Sequence, residues 1–166
     1  MKQSPAIVRP LTTDQQQQVT EETRAYIKQA VKLFDVKNAN VEITFNLKGR
    51  SAGMYRVKRS LFRHKREIRY NPYIFSKHFE DNFKTTVPHE VAHYVSDIIY
   101  GLHNIKPHGK EWKAIMHAFG ADASVTANYD LTGIPQRNRT LFTYHCSCRE
   151  HQLGAIRHNR IKKNRG

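Results

Sequence analysis

The stretch TTVPHEVAHYVSD, residues Thr85 to Asp97, constrains this chain more than any other. Placed on a helix at about 100° per residue, Val87, Val91, Tyr94, Val95, Ile98 and Leu102 fall within about 100° of one another, the width of a core-facing stripe. His89 and His93 then lie ~40° apart on neighbouring turns, close enough to bind one ion and roughly opposite the centre of that stripe. Such a helix is anchored by one face and offers two imidazoles on the other, with Glu90 beside them. A shuffled chain with this content of His and Glu would contain His-Glu-x-x-His only ~0.03 times. The pattern is therefore read as a constraint and not as a by-product of a histidine-rich sequence.

The rest of the chain supplies a scaffold for that helix. Thr12 or Thr13, followed three residues later by Gln15 or Gln16, makes a capping box. Val19, Tyr26, Ile27, Ala30 and Phe34 then recur at helical spacing, which predicts a first helix over 13–34. VEITFNL alternates: Val41, Ile43, Phe45 and Leu47 share one face and Glu42, Thr44 and Asn46 the other, a half-buried strand. SAGMYRVKRSLF and HKREIRYNP predict two further strands joined by a basic turn near Arg59 to Lys65. Gly53 marks a bulge or a close backbone approach. Pro72 suits the first turn of a helix that begins after Asn71. Pro88 sits within the helical pattern that follows, so the helix either kinks just before His89 or restarts near Thr86. Trp112, Ile115, Met116 and Phe119 give another helix, with Gly120 as its stop. TLFTYHCSC reads as a strand, and a second strand is expected in REHQLGAIRHNRIKKNRG.

Charge narrows the class of partner. Lys plus Arg number 28 against 14 acidic residues among 166. From Lys48 to Arg69 there are nine basic residues and one acidic; from Arg137 to Arg165, eight and one. Clustered positive charge releases counterions from a phosphate backbone, so nucleic-acid contact is expected. Arg56, Lys58, Arg59, Arg63, Lys65 and Arg66 form the favoured patch and the basic tail the second. No window approaches the ~18 apolar residues of a membrane span, and the N-terminus lacks the apolar run of a signal peptide. Cys146 and Cys148, one residue apart, are a poor disulfide framework and a better metal or thiol pair. A cytoplasmic, monomeric protein without a membrane partner is expected.

A catalytic zinc takes three protein ligands and keeps one position open. After His93 the spacing of one long zinc-peptidase pattern places Ser96 and Ile99 where Gly and His belong, so that class fails. His108, at the mouth of the Trp112 helix, and Glu111, one turn further, are both candidates for the third ligand; spacing alone favours neither.

VPHEVAHYV followed by PHGKEWKAIM resembles the SprT family of zinc-metallopeptidase-like proteins. The SAG of Ser51 to Gly53, the NP of Asn71 and Pro72, and the tail YHCSCREHQL…RHNR fit the same family, from about residue 25 to the end. The resemblance implies His108 as third ligand with His89 and His93, and Glu90 as the base that accepts a proton from a zinc-activated water and returns it to the leaving amine. It also implies a protein or peptide substrate. The eukaryotic relative Spartan degrades proteins crosslinked to DNA, an analogy for DNA-associated substrates. The family's tail resembles a zinc ribbon with Cys-x-Cys and a later Cys-x-x-Cys. This sequence has Cys146 and Cys148 but no second pair, so a second, structural zinc there would need His151 or His158.

The expected fold is α+β: a zincin-like minimal core of long helix, three-stranded sheet, metal helix and following helix over 1–140, and a small β tail over 141–166. Trp112 is expected in the core, and Asp97 as a carboxylate orienting an imidazole. Tyr94, Tyr100 and Tyr129 are candidate oxyanion donors; His64, His78 and His117 are expected as ordinary surface residues. The competing function is a non-catalytic nucleic-acid-binding module stabilised by zinc. Glu90 separates the two, because a structural zinc needs no glutamate beside its ligand.

Overall fold

The computed structural model describes residues 7–37, 40–59, 64–124, 128–136 and 140–163. The chain divides into two compact units, Met1–Pro135 and Gln136–Gly166. The fold is α+β.

The first unit opens with α1 (Thr13–Phe34), whose start is the capping box: Gln15 N–H donates to the Thr12 hydroxyl, and the Gln15 side chain accepts from Thr12 N–H. Three strands follow: β1 (Glu42–Thr44), β2 (Gly53–Arg59) and β3 (His64–Tyr70). Their order is β1-β3-β2, with β1 parallel and β2 antiparallel to β3, so β2 is an edge strand. Alternation in VEITFNL predicts seven strand residues, but the ladder covers three. Val41, Ile43 and Phe45 do pack against the core. The regular pairing with β3 stops at Thr44, and Leu47 N–H rejoins Tyr70 by a single bond of 3.1 Å.

Two short helices, α2 (Pro72–Lys77) and α3 (Phe79–Lys84), lead into α4 (Thr86–Tyr100). The Asn71 side chain caps α2 at the N–H groups of Tyr73 and Ile74. Of the two readings of Pro88, the restart is what the structure shows: α4 begins at Thr86, and Pro88 falls in its first turn, where a missing N–H breaks no helical bond. Val87, Val91, Tyr94 and Val95 are fully buried. They make α4 the central element, packed against α1, α3, β2 and α5 (Lys110–Ala118). Ile98 is partly buried and Leu102 lies beyond the helix end. Trp112, Ile115 and Met116 carry α5 into the same core.

The outer face of the sheet is a polar layer. Glu67, 2% exposed, receives Arg56 at 2.7 Å and Lys58 at 3.2 Å, with the Thr44 hydroxyl at 3.1 Å. Burial pushes its carboxyl up, but Arg56, Lys58 and Thr44 outweigh that and hold it below the ordinary range. A depressed carboxylate contributes stability above its unfolded pKa and loses it as pH falls through the folded value. The gap in urea midpoint between wild type and Glu67→Gln is therefore expected to be widest near neutrality. It should shrink as pH falls below about 4.5.

The second unit pairs β4 (Leu141–His145) with β5 (Glu150–Gly154) as an antiparallel hairpin, followed by α6 (Ala155–Lys163). The second expected strand is present as β5. The helix α6 was not foreseen: it has no buried residue, and its only apolar side chains after Ala155 are Ile156 and Ile161. Periodicity had little to report there. No helix among the described residues is long and apolar enough to cross a membrane.

Candidate metal centre

Helix α4 sets His89 and His93 one turn apart. The third imidazole comes from the loop before α5, where His108 takes a left-handed backbone with φ 56°. His is among the side chains that tolerate this region better than most. Gly109 follows because a Cβ there would sit 2.9 Å from the Lys106 carbonyl oxygen. The tight turn points His108 back at α4.

The Nε2 atoms of His89 and His93 are 3.2 Å apart, those of His93 and His108 2.9 Å, and those of His108 and His89 3.1 Å. All three rings are half-buried. These contacts cannot all be hydrogen bonds, since each neutral ring nitrogen is either a donor or an acceptor and at least two of three must share a state. One divalent cation taking a lone pair from each resolves the conflict. Tetrahedral zinc ligands at ~2.0–2.1 Å lie ~3.3 Å from one another, close to the spacing found. Burial pulls His89 down to about 4, helped by His108, and His93 down to about 3, helped by His89 and His108. Burial also lowers His108. The rings are neutral, the form that ligates.

Trp112 lies under all three rings, with centroids 4.8, 5.6 and 4.7 Å from those of His89, His93 and His108. It is fully buried. The core reading of Trp112 is correct but incomplete, because the same indole floors the donor set. The spacing His-Gly-x-x-Trp held that signal: a turn, a close approach, and one helical turn to bring the indole beneath.

Glu90 is 6% exposed. Burial pushes its carboxyl up to about 8, against the pull of the nearby Tyr55 backbone, which acts the other way. A dication at the imidazoles would favour the carboxylate and lower it again. Gly53 is the close approach: a Cβ there would fall 2.6 Å from Glu90 Cγ and Oε1 and 2.7 Å from Thr86 Cγ2. Glu90 and His89 border a cleft of about 450 Å³, whose walls include Arg50, Gly53, Asp81, Thr85 and Tyr129.

Other expected site residues fall elsewhere. Glu111 is not part of the donor group and sits 4.0 Å from Lys110. Asp97 binds no imidazole; its Oδ2 accepts from Tyr55 Oη and Arg66 Nε, each at 2.7 Å. Of the three tyrosines, Tyr129 reaches the cleft, Tyr94 is buried and Tyr100 is exposed. His64 and His117 are exposed, whereas His78 packs against Tyr129 with the rings tilted and bonds the Asp130 carbonyl.

The favoured basic patch does not form one free surface. Alternation puts Arg56, Lys58 and Lys65 on the outer face and Arg66 on the face toward α4. Arg56 and Lys58 pair with Glu67, Lys65 with Glu42 at 2.9 Å, and Arg66 with Asp97. Arg63 lies outside the described residues, and Arg59 is described only as the strand partner of His64.

Cys146 and Cys148, expected as a thiol or metal pair, are joined as a disulfide. His151 Nε2 lies 3.3 Å from Cys146 Sγ and 3.6 Å from Cys148 Sγ, so the same three groups could hold an ion once reduced. His158 instead stacks on Phe142 with ring centroids 3.6 Å apart and bonds Tyr144 Oη at 2.8 Å.

Comparison with known proteins bears on the same segment. The SprT-like family model matches residues 17–133. The chain is similar to the SprT protein of Klebsiella pneumoniae, 32% identical over 147 residues, which cover 88% of this chain and 82% of the relative. The SprT protein of Shewanella oneidensis is 31% identical over 147 residues, 88% and 87% of the two chains. That of Vibrio parahaemolyticus is 33% identical over 120 residues, 72% of this chain and 66% of the relative, just under two thirds of its length. No solved structure matches. The matched span holds α4, the His108 turn and α5 together with the sheet beside them, and the chain belongs to the SprT-like family.

Proposed function

We propose that this chain is a zinc-dependent endopeptidase with a zincin-like core, acting on proteins near or bound to DNA. The observation that carries the reading is the convergence of three neutral imidazoles beside a buried glutamate that borders an open cleft. His89, His93 and His108 would hold the ion. Bound there, zinc supplies a Lewis acid for the scissile carbonyl and makes a water acidic near neutral pH. Glu90 would take a proton from the attacking water on a carboxylate oxygen and hand it to the departing amine. Gly53 leaves room for the Glu90 side chain, and the cleft admits the peptide. Among the described residues the group has three donors, and a closed structural site would want four. This favours the peptidase over a non-catalytic, zinc-stabilised module. The test is cleavage of fluorescently labelled casein by zinc-loaded protein, with and without single-stranded DNA.

DNA contact is best supported by α6. Arg157, Arg160, Lys162 and Lys163 are exposed there with no acid in the helix. Replacing all four by Gln is expected to flatten the plot of log affinity for single-stranded DNA against log salt by up to about 3 units of slope. An unchanged slope would remove α6 from the interface. A second, structural zinc at Cys146, Cys148 and His151 would require the reduced thiols.

A further inference from the structure

We propose that Tyr55 is a positioning residue for Glu90, fastened by Asp97 and Arg66, so that the edge strand β2 and the helix α4 share one clamp that aims the base. The inference rests on the reading of Glu90 as that base.

Strand β2 meets α4 at two points. At Gly53 a Cβ would sit 2.6 Å from Glu90 Cγ and Oε1. Two residues on, the Tyr55 phenol donates to Asp97 Oδ2 at 2.7 Å. Glu90 and Asp97 are two helical turns apart on one face of α4, about 10 Å along the axis. Arg66, which pairs with Val57 and so lies diagonal to Tyr55 on β3, donates its Nε to the same oxygen at 2.7 Å, while Asp97 Oδ1 accepts from Leu102 N–H at 3.3 Å. The Asp97 side chain is 9% exposed, so water screens these bonds little. The Tyr55 ring rests edge-on against Tyr94, centroids 5.9 Å apart.

Such fastening matters because β2 is paired along one edge only. Nothing in its ladder holds residues 53–55 against the helix. Yet Gly53 lies so close to Glu90 that even a methyl group would collide with Cγ and Oε1. A strand that slides or lifts slightly moves the carboxylate with it, and proton transfer tolerates little misplacement. The carboxylate expected to orient an imidazole thus acts on the other component of the site, the base, through Tyr55.

Tyr55→Phe deletes the phenolic oxygen and keeps the ring and backbone; Arg66→Gln is a second, independent loosening of the same clamp. Each is assayed per folded, zinc-loaded molecule on labelled casein. Zinc content and KM are expected within about twofold of wild type, with kcat reduced ~10–100-fold, the range seen when an outer partner of a metal site is lost. Tyr55→Phe combined with Asp97→Asn should lower kcat no further than the worse single change. The second readout is the affinity of zinc-loaded protein for acetohydroxamate, whose hydroxyl needs a correctly placed carboxylate; Tyr55→Phe should weaken it in the direction that Glu90→Gln does. A lower melting temperature with kcat and hydroxamate affinity unchanged would make the clamp merely structural and overturn the proposal. If wild type itself leaves casein intact, the peptidase reading fails. The hydroxamate comparison then decides the clamp: weakening supports it and no change overturns it.

Discussion

Glu90→Gln is expected to leave zinc binding intact and to lower kcat on a protein substrate by at least ~10²–10⁴, the usual contribution of a positioned acid–base group. That range corresponds to about 3–5 kcal/mol of barrier. The substitution is nearly isosteric, so it keeps the fit against Gly53 and Thr86. It removes only the capacity to take a proton. Stability gives a second signature. With burial holding the Glu90 carboxyl up to about 8 in the metal-free protein, the folded state binds more protons than the unfolded state between about 4.5 and 8. Glu90's contribution to stability then falls as pH rises through that window, while that of the depressed imidazoles rises up to about 6.5, so the comparison with the variant isolates the part due to Glu90. Metal-free Glu90→Gln should lack this decline and be the more stable protein at pH 8. Thermal melts across pH 5–8 on both proteins check it; parallel curves would mean that Glu90 is not held as described.

His108→Asn is expected to abolish the site with little disturbance of the fold. Asn tolerates the left-handed backbone that residue 108 adopts. The change withdraws the one imidazole not carried by α4 and leaves an ordinary i, i+4 pair. Zinc affinity should fall more than about a hundredfold. At free zinc of 100 times the wild-type Kd, binding stabilises the native state by about 2.7 kcal/mol. The variant at the same concentration should gain about 0.4 kcal/mol or less. A zinc-induced shift in melting temperature equal to that of wild type would place the ion elsewhere.

The parts of this molecule that were legible in sequence are those decided locally. The capping box at Thr12, the apolar stripe of α1 and the buried face of α4 depend on neighbours within a few turns. Pro88 left two outcomes open because the choice depended on Asn82, whose side chain accepts from Thr86 Oγ1 at 2.8 Å and anchors the new helix start. The shortness of β1 reflects its pairing with β3, which alternation cannot see. The basic patch was misread for a similar reason. Counting charge between residues 48 and 69 includes Glu67 but misses Glu42 and Asp97, which come from other elements. The clamp on Glu90 was invisible because it joins Tyr55, Arg66 and Asp97 across 42 residues of chain. In the site itself, the two α4 histidines followed from helix geometry. Spacing could not separate His108 from Glu111; it is a backbone turn at φ 56° that brings the His108 ring, and not Glu111, beside the other two imidazoles.

The central claim is that three imidazoles bind one zinc and leave it an open position. Zinc K-edge X-ray absorption of the site in the first unit, measured on the 166-residue chain with Cys146 and Cys148 replaced by Ser, tests it most directly. The expected spectrum shows one zinc per chain, with three imidazole nitrogens and one further light donor at ~2.0–2.1 Å. Failure to retain stoichiometric zinc, or a spectrum fitted with fewer than three imidazoles, would contradict the account.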